Sequence, residues 1–209
     1  MLLRQGRVYP EPSTWTVAHR RWLARQQFDE TASELVFADL IASVDGLTAR
    51  KSAIAERLSR LAEDEAWWPT VARLRCFRGV DTLTAFALHL ELGGDWQRFA
   101  RANALSAWLG LIPSLHQSSE SSHQDGLGLR SPAARRVGLA LRTPTTDRGD
   151  PQNRQQGQPE HILQIANRAQ HRLHRTYYRM RGRGKPHNVT VVACARELAC
   201  FLWAAATAD

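Results

Sequence analysis

The sequence predicts an all-α fold: a coiled-coil helix region followed by a small helical domain, with a helix-hairpin-helix-like element and a disordered or irregular insert. Apolar residues recur at helical spacing in several stretches, including a heptad pattern over residues 37–61. The hydrophobic content of 43% is sufficient for a core. We therefore divide the chain into residues 1–66, 67–125, 126–151 and 152–209.

The composition argues against several classes of protein. No run of about 18 apolar residues occurs, so no membrane span is expected, and the first residues lack the apolar core of a secretory signal. Three scattered cysteines fit buried thiols in a reducing cytoplasm. Because no CxxC pair is present, a zinc site is not expected.

The net charge of +8 is concentrated toward the C-terminus. Residues 152–209 contain nine Arg or Lys residues against three acids, a surplus of six. This surplus favours a polyanionic partner, most often nucleic acid. Only two of the 28 basic residues are lysine. Arginine suits bidentate phosphate contacts, although GC-rich codon usage produces the same bias.

The first two segments predict helices. Residues 1–31 contain the helical stretch "HRRWLARQQF", and the next segment repeats apolar residues every seven positions. Lys51 occupies an a position, where it is costly in a dry seam but can specify register. The helix either forms a dimeric or hairpin coiled coil or is an amphipathic helix of a globular bundle. The a and d positions are Phe37, Val44, Lys51 and Leu58, and Leu40, Leu47, Ile54 and Leu61.

The stretch "WPTVARLRCFRGVDTLTAFALHLELGG" predicts two helices joined by a tight turn at Gly79. A helix-hairpin-helix module presents backbone N–H groups to a phosphate, so Gly79 is a candidate nucleic-acid contact. Asp81 stands where a second glycine is usual, and an acid there repels phosphate. Asp81 can instead cap the second helix, in which case the turn is structural.

A further helix is predicted over residues 95–109, with Asp95 as its N-cap. Pro113 ends it, and five serines follow within residues 114–122, with His116 among them. A serine hydroxyl is a weak nucleophile until a base or a metal activates it. The stretch is therefore either a polar linker or a loop that holds a reactive hydroxyl.

The last 58 residues predict a basic helix and a closing apolar helix. The first runs from Pro159 to about Arg181, and no acid occurs from residue 161 to 185. Spacings of four, three and four residues place four arginines on one ridge beside its apolar stripe. These candidate nucleic-acid-binding residues are Arg168, Arg172, Arg175 and Arg179.

Several motifs in order resemble the C-terminal domain of bacterial insertion-sequence transposases of the one-ten type, which are recombinases with a serine and four acids, guided by a bridge RNA. The matching features are the Leu-Arg-x-x-x-Gly hairpin, the "ELG" helix end, the "RF" pair, "AWLGLIPS" and the serine beyond it. "GKPHNVTVVACARELACFLWA" resembles the closing helix of that family. The family's serine aligns with Ser118, although Ser119 replaces its usual glycine.

The resemblance implies a mechanism and partners. A serine attacks a DNA phosphate and holds one strand as a phosphoserine, while an N-terminal RuvC-like domain binds Mg²⁺ through four carboxylates. These 209 residues contain no such acidic cluster, so we expect no cofactor in this chain and a transposase that is defective alone. The implied partners are DNA, a structured guide RNA and a second copy joined through the heptad helix. The implied location is the bacterial cytoplasm, at the nucleoid. The alternative is a non-catalytic DNA- or RNA-binding protein built on the same domain, or a decayed gene product.

Residues 126–151 have no convincing periodicity and lack the family's "I-T-K-x-G" and "A-W" motifs. Residues 128–133 can be encoded by the codons GGA TTA CGA AGT CCG GCA, and reading these from the third base yields Ile-Thr-Lys-Ser-Gly. Similarly, residues 139–143 can be encoded by codons that yield Trp-His-Tyr-Glu when they are read from the second base. We therefore hypothesise that this segment is frame-slipped, a hypothesis that the coding DNA decides.

Overall fold

The computed structural model describes residues 1–111, 115–118, 121–124 and 151–208. The chain divides into two compact units, Met1–Glu56 and Arg57–Asp209. The predicted all-α class is confirmed, with one short β-hairpin in addition. The frame-slip hypothesis falls on residues that lie almost entirely outside the described ranges. The helices are α1 (Val17–Ala24), α2 (Thr31–Leu61), α3 (Trp68–Arg75), α4 (Thr82–Glu91), α5 (Ala102–Trp108), α6 (Pro151–Gln155), α7 (Glu160–Gly182) and α8 (His187–Ala206), with a 3-10 turn at Leu2–Gln5.

The first unit begins with an aromatic cluster around α1. The hydroxyl of Thr16 caps this helix by accepting the backbone N–H of His19. His19 is buried and stacks on Trp22, with 5.8 Å between the ring centroids. Tyr9 meets both rings. These contacts fix the segment that precedes α2.

Helix α2 confirms the predicted continuous helix, but it contains no buried residue. Its d-position Leu47 is 66% exposed, and Leu40, Ile54 and Leu61 are exposed as well. The coiled coil and the amphipathic helix of a globular bundle both stay predictions. In the single chain, the apolar a and d positions of α2 are exposed or half-buried.

The core of the second unit lies among α3, α4, α5, α7 and α8. Helix α8 packs against α7, α5 and α3. Two side-chain bonds join it to the preceding segments: the hydroxyl of Ser106 donates to the carbonyl of Arg196, in the middle of α8, at 3.2 Å, and the indole of Trp203, near its C-terminal end, donates to the carbonyl of Trp96 at 3.1 Å. Fully buried side chains of this core include Val71, Leu74, Leu88, Leu105, Ile162, Leu198 and Leu202.

Helix α8 is, among the described residues, the one helix long and apolar enough to cross a membrane. Its apolar positions face the other helices, since Val191, Ala195, Leu198 and Leu202 are all buried. Core packing therefore accounts for its composition.

The predicted helix over residues 95–109 needs correction, because regular helix begins only at Ala102. The carboxylate of Asp95 accepts the backbone N–H of Arg98, which closes one turn. Trp96 is held by its indole bond to His89, and Arg101 is then extended with φ −148°. Trp96 and Phe99 are buried in the core without belonging to a helix. Their spacing from the apolar residues of α5 nevertheless resembles that of a longer helix.

Candidate nucleic-acid interface

Helix α7 forms because its apolar residues recur at helical spacing and because residues that favour helix starts and helix ends flank it. Pro159 precedes the first helical residue, and Glu160 in the first turn complements the helix dipole. At the other end Gly184 is left-handed, with φ 74°. The backbone N–H of Lys185 donates to the carbonyl of Met180 at 3.1 Å, which closes the helix before Pro186.

One side of α7 is buried and the arginine ridge is not. Ile162, Ala166 and Ala169 are buried against the core. The arginines of the ridge, Arg168, Arg172, Arg175 and Arg179, are all exposed. Their placement on one exposed strip follows from the predicted spacing. Their role in nucleic-acid binding stays a prediction.

Arg172 differs from the other members of the ridge because it is paired. Its Nε lies 3.1 Å from Oε2 of Glu197, and its Nη2 lies 3.4 Å from Oε1. The hydroxyl of Thr176 donates to the same carboxylate at 3.4 Å. The stretch around the ridge is free of acids, so this partner comes from α8.

The remaining arginines of the ridge present unneutralised charge. Within the described part of the chain, Arg168, Arg175 and Arg179 form no ion pair with an acid. Glu160 and Glu197 are the acids nearest to them in the sequence on either side. The ridge therefore keeps a positive potential that extends over about three helical turns.

The C-terminal end of α7 carries a cluster of aromatic rings among further cations. The hydroxyl of Tyr177 lies 3.1 Å from Nδ1 of His187. Tyr178 is 61% exposed, and its ring centroid lies 4.4 Å from that of His174. The guanidinium of Arg181 donates to the carbonyl of Lys185 at 2.8 Å. The helical spacing predicts Tyr177 in the apolar stripe, and this ring is half-buried. Tyr178 and His174 were not predicted as functional residues, although their position between basic residues was a usable signal.

The turn between α3 and α4 has the predicted glycine and the predicted cap. Gly79 has φ 84°, in the region that favours glycine. The carboxylate of Asp81 accepts the backbone N–H of Thr84 at 2.7 Å. Because this carboxylate occupies the N-terminus of α4, an anion has less access there. A contact between Gly79 and a phosphate stays a prediction.

Residues from α6 brace the same turn. The guanidinium of Arg154 donates to the carbonyl of Val80 at 3.0 Å, and the amide of Gln155 donates to that of Cys76 at 3.2 Å. Burial, followed by the charge of Arg154, lowers the pKa of Arg75. The guanidinium of Arg75 lies 5.0 Å from the ring of Trp68. Sequence reasoning missed this brace because its two halves are more than 70 residues apart.

The serine-rich stretch contains an antiparallel hairpin formed by Leu115–Ser118 and Ser121–Gln124, which we name β1 and β2. The register pairs Ser118 with Ser121 and His116 with His123. The candidate nucleophile is thus the last residue of β1. Its role as the nucleophile stays a prediction, and Ser119 lies outside the described ranges.

In the segment that precedes this hairpin, the side chain of Arg98 lies close to two aromatic rings. The guanidinium of Arg98 lies 4.7 Å from the ring of Phe99 and 5.0 Å from that of Trp108. Trp108 is 40% exposed. The "RF" pair that the sequence resemblance used therefore packs against the helix that leads to the serines.

Within the described ranges, no three His, Cys, Asp or Glu residues are placed to hold a metal ion. The burial of Cys76 and Cys194 raises the pKa of each thiol to about 11, so both stay protonated and inert.

Comparison with known proteins agrees with the sequence resemblance. Residues 71–140 match the family described as "Transposase IS116/IS110/IS902 family". The chain is 30% identical over 214 residues to "Putative transposase y4qE" of Sinorhizobium fredii, with 98% of this chain and 50% of that protein covered. It is 26% identical over 191 residues to "Transposase for insertion sequence element IS1533" of Leptospira borgpetersenii, with 88% of this chain and 55% of that protein covered. The chain thus spans about half the length of these relatives. No solved structure matches it significantly.

Proposed function

The chain belongs to the IS116/IS110/IS902 transposase family, and from this premise we propose that it is a DNA-binding part of an insertion-sequence transposase that acts in DNA transposition. The observation that carries the proposal is the exposed arginine ridge of α7, which has three members without an acidic partner among the described residues. Guanidinium groups bind phosphate oxygens through paired hydrogen bonds. A ridge of this kind suits the backbone of a nucleic acid.

We further propose that Ser118 is the nucleophile of strand transfer. Its Oγ attacks the phosphorus of a DNA phosphodiester, a serine–phosphate ester forms, and the bond from phosphorus to one deoxyribose oxygen breaks. His116 is the candidate to orient the serine hydroxyl. The proton of the serine passes to a base, and the released deoxyribose hydroxyl takes up a proton. A hydroxyl of the second strand then attacks the phosphoserine, which reverses the chemistry and joins the strands.

The step conserves the number of phosphate esters and needs no oxidant. In the family it proceeds beside metal-binding carboxylates, which the described residues of this chain do not assemble. From the family resemblance we propose that complete transposition also requires an acidic domain of the RuvC-like type and that these residues are defective alone.

The proposed partners are DNA, a structured guide RNA and a second copy of the chain. The second copy would cover the open seam of α2, where Leu40, Leu47 and Ile54 are exposed. A guide RNA would read the target by base pairing and leave the protein to bind backbone and shape. The cytoplasm at the bacterial nucleoid is the proposed location.

The alternative is a non-catalytic binding protein that uses the same ridge. Covalent trapping separates the two. A DNA strand with an activated phosphate leaving group, which does not need a metal to assist departure, is incubated with the chain. Mass spectrometry should find an adduct on Ser118 that Ser118→Ala abolishes and Ser121→Ala, its cross-strand neighbour, retains. Binding without any adduct would support the non-catalytic alternative.

A further inference from the structure

We propose that the exposed ring of Tyr178, backed by His174 and flanked by Arg175 and Arg181, is a stacking site for an unpaired nucleobase. The inference rests on the proposed nucleic-acid function. It goes beyond that function because it assigns single-stranded or looped nucleic acid, rather than duplex backbone, to one named surface of α7.

The first observation is the exposure of the ring. Tyr178 is 61% exposed, more than Trp15 at 54% or Trp108 at 40%. It lies on a side of α7 away from the buried Ile162 and Ala169. The ring therefore contributes little to the described core, and its apolar faces are open to a ligand.

The second observation is that neighbouring rings hold Tyr178 in place. His174 precedes it by one turn, with 4.4 Å between ring centroids and 49° between the planes. Tyr177 meets it edge-on at 5.4 Å and is itself bonded to His187 on the next helix. Because its neighbours limit the ring's motion, less side-chain entropy is lost when a base stacks on it.

The third observation is the charge around the ring. Arg175 and Arg181 stand three residues before and after Tyr178, positions that adjoin it on a helix surface. Both are exposed, as are Arg179, Arg183 and Lys185. No acid occurs between residues 161 and 196. Phosphates on either side of a stacked base would thus meet cations and no carboxylate from this stretch.

Stacked bases between cations characterise proteins that bind single strands, because every base has a π-face and every nucleotide a phosphate. In a duplex, each base face is covered by the neighbouring base, so only the arginine ridge would contribute to the affinity for duplex DNA. RNA and DNA both offer unpaired bases, and the 2′-hydroxyl distinguishes them.

The test compares affinities of the full chain for a labelled single-stranded DNA, the same sequence as RNA, and the DNA duplex. Alanine replacement at a stacking ring typically costs about 1–3 kcal/mol per base, equivalent to at least about a fivefold loss of affinity. Tyr178→Leu should weaken both single strands by about fivefold or more and change duplex binding by less than about twofold. Tyr178→Phe, which keeps the ring, should bind as the parent protein does.

The position at which the nucleic acid contacts the protein provides a second readout. A single strand with 5-iodouracil at one position should crosslink on irradiation to a peptide containing Tyr178. An abasic nucleotide at that position should weaken the parent protein but not Tyr178→Leu, as a double-mutant cycle requires. Preference for RNA over DNA would identify a guide RNA as the source of the base. Equal binding would identify an unpaired strand of either kind.

Equal losses on single strands and duplex, or no loss at all, would overturn the stacking site. Circular dichroism would confirm that the leucine variant is folded, which its exposed position predicts. The stacking site fails alone if the Ser118 adduct forms and Tyr178→Leu binds every substrate normally. The proposed function fails if no nucleic acid binds and no adduct forms.

Discussion

The guanidinium of Arg172 and the carboxylate of Glu197 form an ion pair, with 3.1 Å between Nε and Oε2. The pair joins α7 to α8 and removes one arginine of the ridge from the set without acidic partners. It therefore separates the four candidate arginines into one that is paired within the protein and three that are available to a ligand.

The salt dependence of DNA binding should reveal this separation. Each phosphate neutralised contributes about 0.9 to the slope of log K against log salt on duplex DNA. We expect Arg175→Gln to flatten the slope by up to about that amount, and Arg172→Gln to flatten it less, because Glu197 already neutralises Arg172. Fluorescence anisotropy across a salt series measures both. Equal effects of the two variants would remove the distinction between paired and unpaired arginines.

Releasing Arg172 should strengthen binding. Glu197→Gln removes the carboxylate that competes with phosphate for this guanidinium, so the affinity for DNA should rise and the salt slope should steepen. Because the arginine side chain is 55% exposed, we expect the loss of stability to stay within about 1 kcal/mol. The double variant Arg172→Gln with Glu197→Gln is the control. It should show no gain in affinity over the parent protein.

Acid should destabilise the second unit through His89. The indole N–H of Trp96 donates to Nδ1 of His89 at 3.2 Å, and burial lowers the pKa of His89. A histidine with a lowered folded pKa favours folding when neutral, so this stability is present above about pH 6.5 and declines as the pH falls below it. The free energy of unfolding should fall by up to about 1.4 kcal/mol per pH unit there.

Urea unfolding at pH 7.5 and 5.5 measures this effect. His89→Gln keeps a hydrogen-bond acceptor and does not titrate, so its stability should change less between the two pH values. If parent and variant lose stability equally over this range, another group is responsible.

The three cysteines should differ in reactivity. Burial raises the pKa of Cys76 and Cys194 to about 11, which leaves almost no thiolate at pH 8. Cys200 is only half-buried, with its sulfur 3.7 Å from the amide oxygen of Asn103. An aromatic disulfide reagent should titrate one thiol rapidly in the folded protein and three after unfolding. Cys200→Ser should abolish the rapid phase, and a rapid phase that persists would place the reactive thiol elsewhere.

Self-association should depend on the heptad seam of α2. Leu47 at a d position is 66% exposed, and Leu35, outside the a and d positions, is 68% exposed. Leu47→Glu should shift sedimentation toward the monomer, whereas Leu35→Glu should leave it unchanged. Lys51→Leu should tighten association by removing a charge from the seam. Equal behaviour of the two glutamate variants would exclude the seam as the contact.

The helices were predictable because their signals are local. The helix predicted after the turn at Gly79 is α4. The helix predicted from Pro159 to about Arg181 is α7, within about one residue of its observed bounds. The capping role of Asp81 followed in the same way, since a cap bonds only to residues within one turn. Residues 95–101 were the exception, because the burial of Trp96 and Phe99 depends on helices distant in the chain.

Helical period and charge, which need only neighbouring residues, were enough to place the arginine ridge on one strip of α7. Pairing and exposure were not predictable in this way, because they arise where segments far apart in the chain meet. Glu197 reaches Arg172 only because α8 packs beside α7, and Arg154 reaches Val80 only across more than 70 residues. The three-dimensional packing thus decided which cations of the ridge remain available and which ring stands exposed among them.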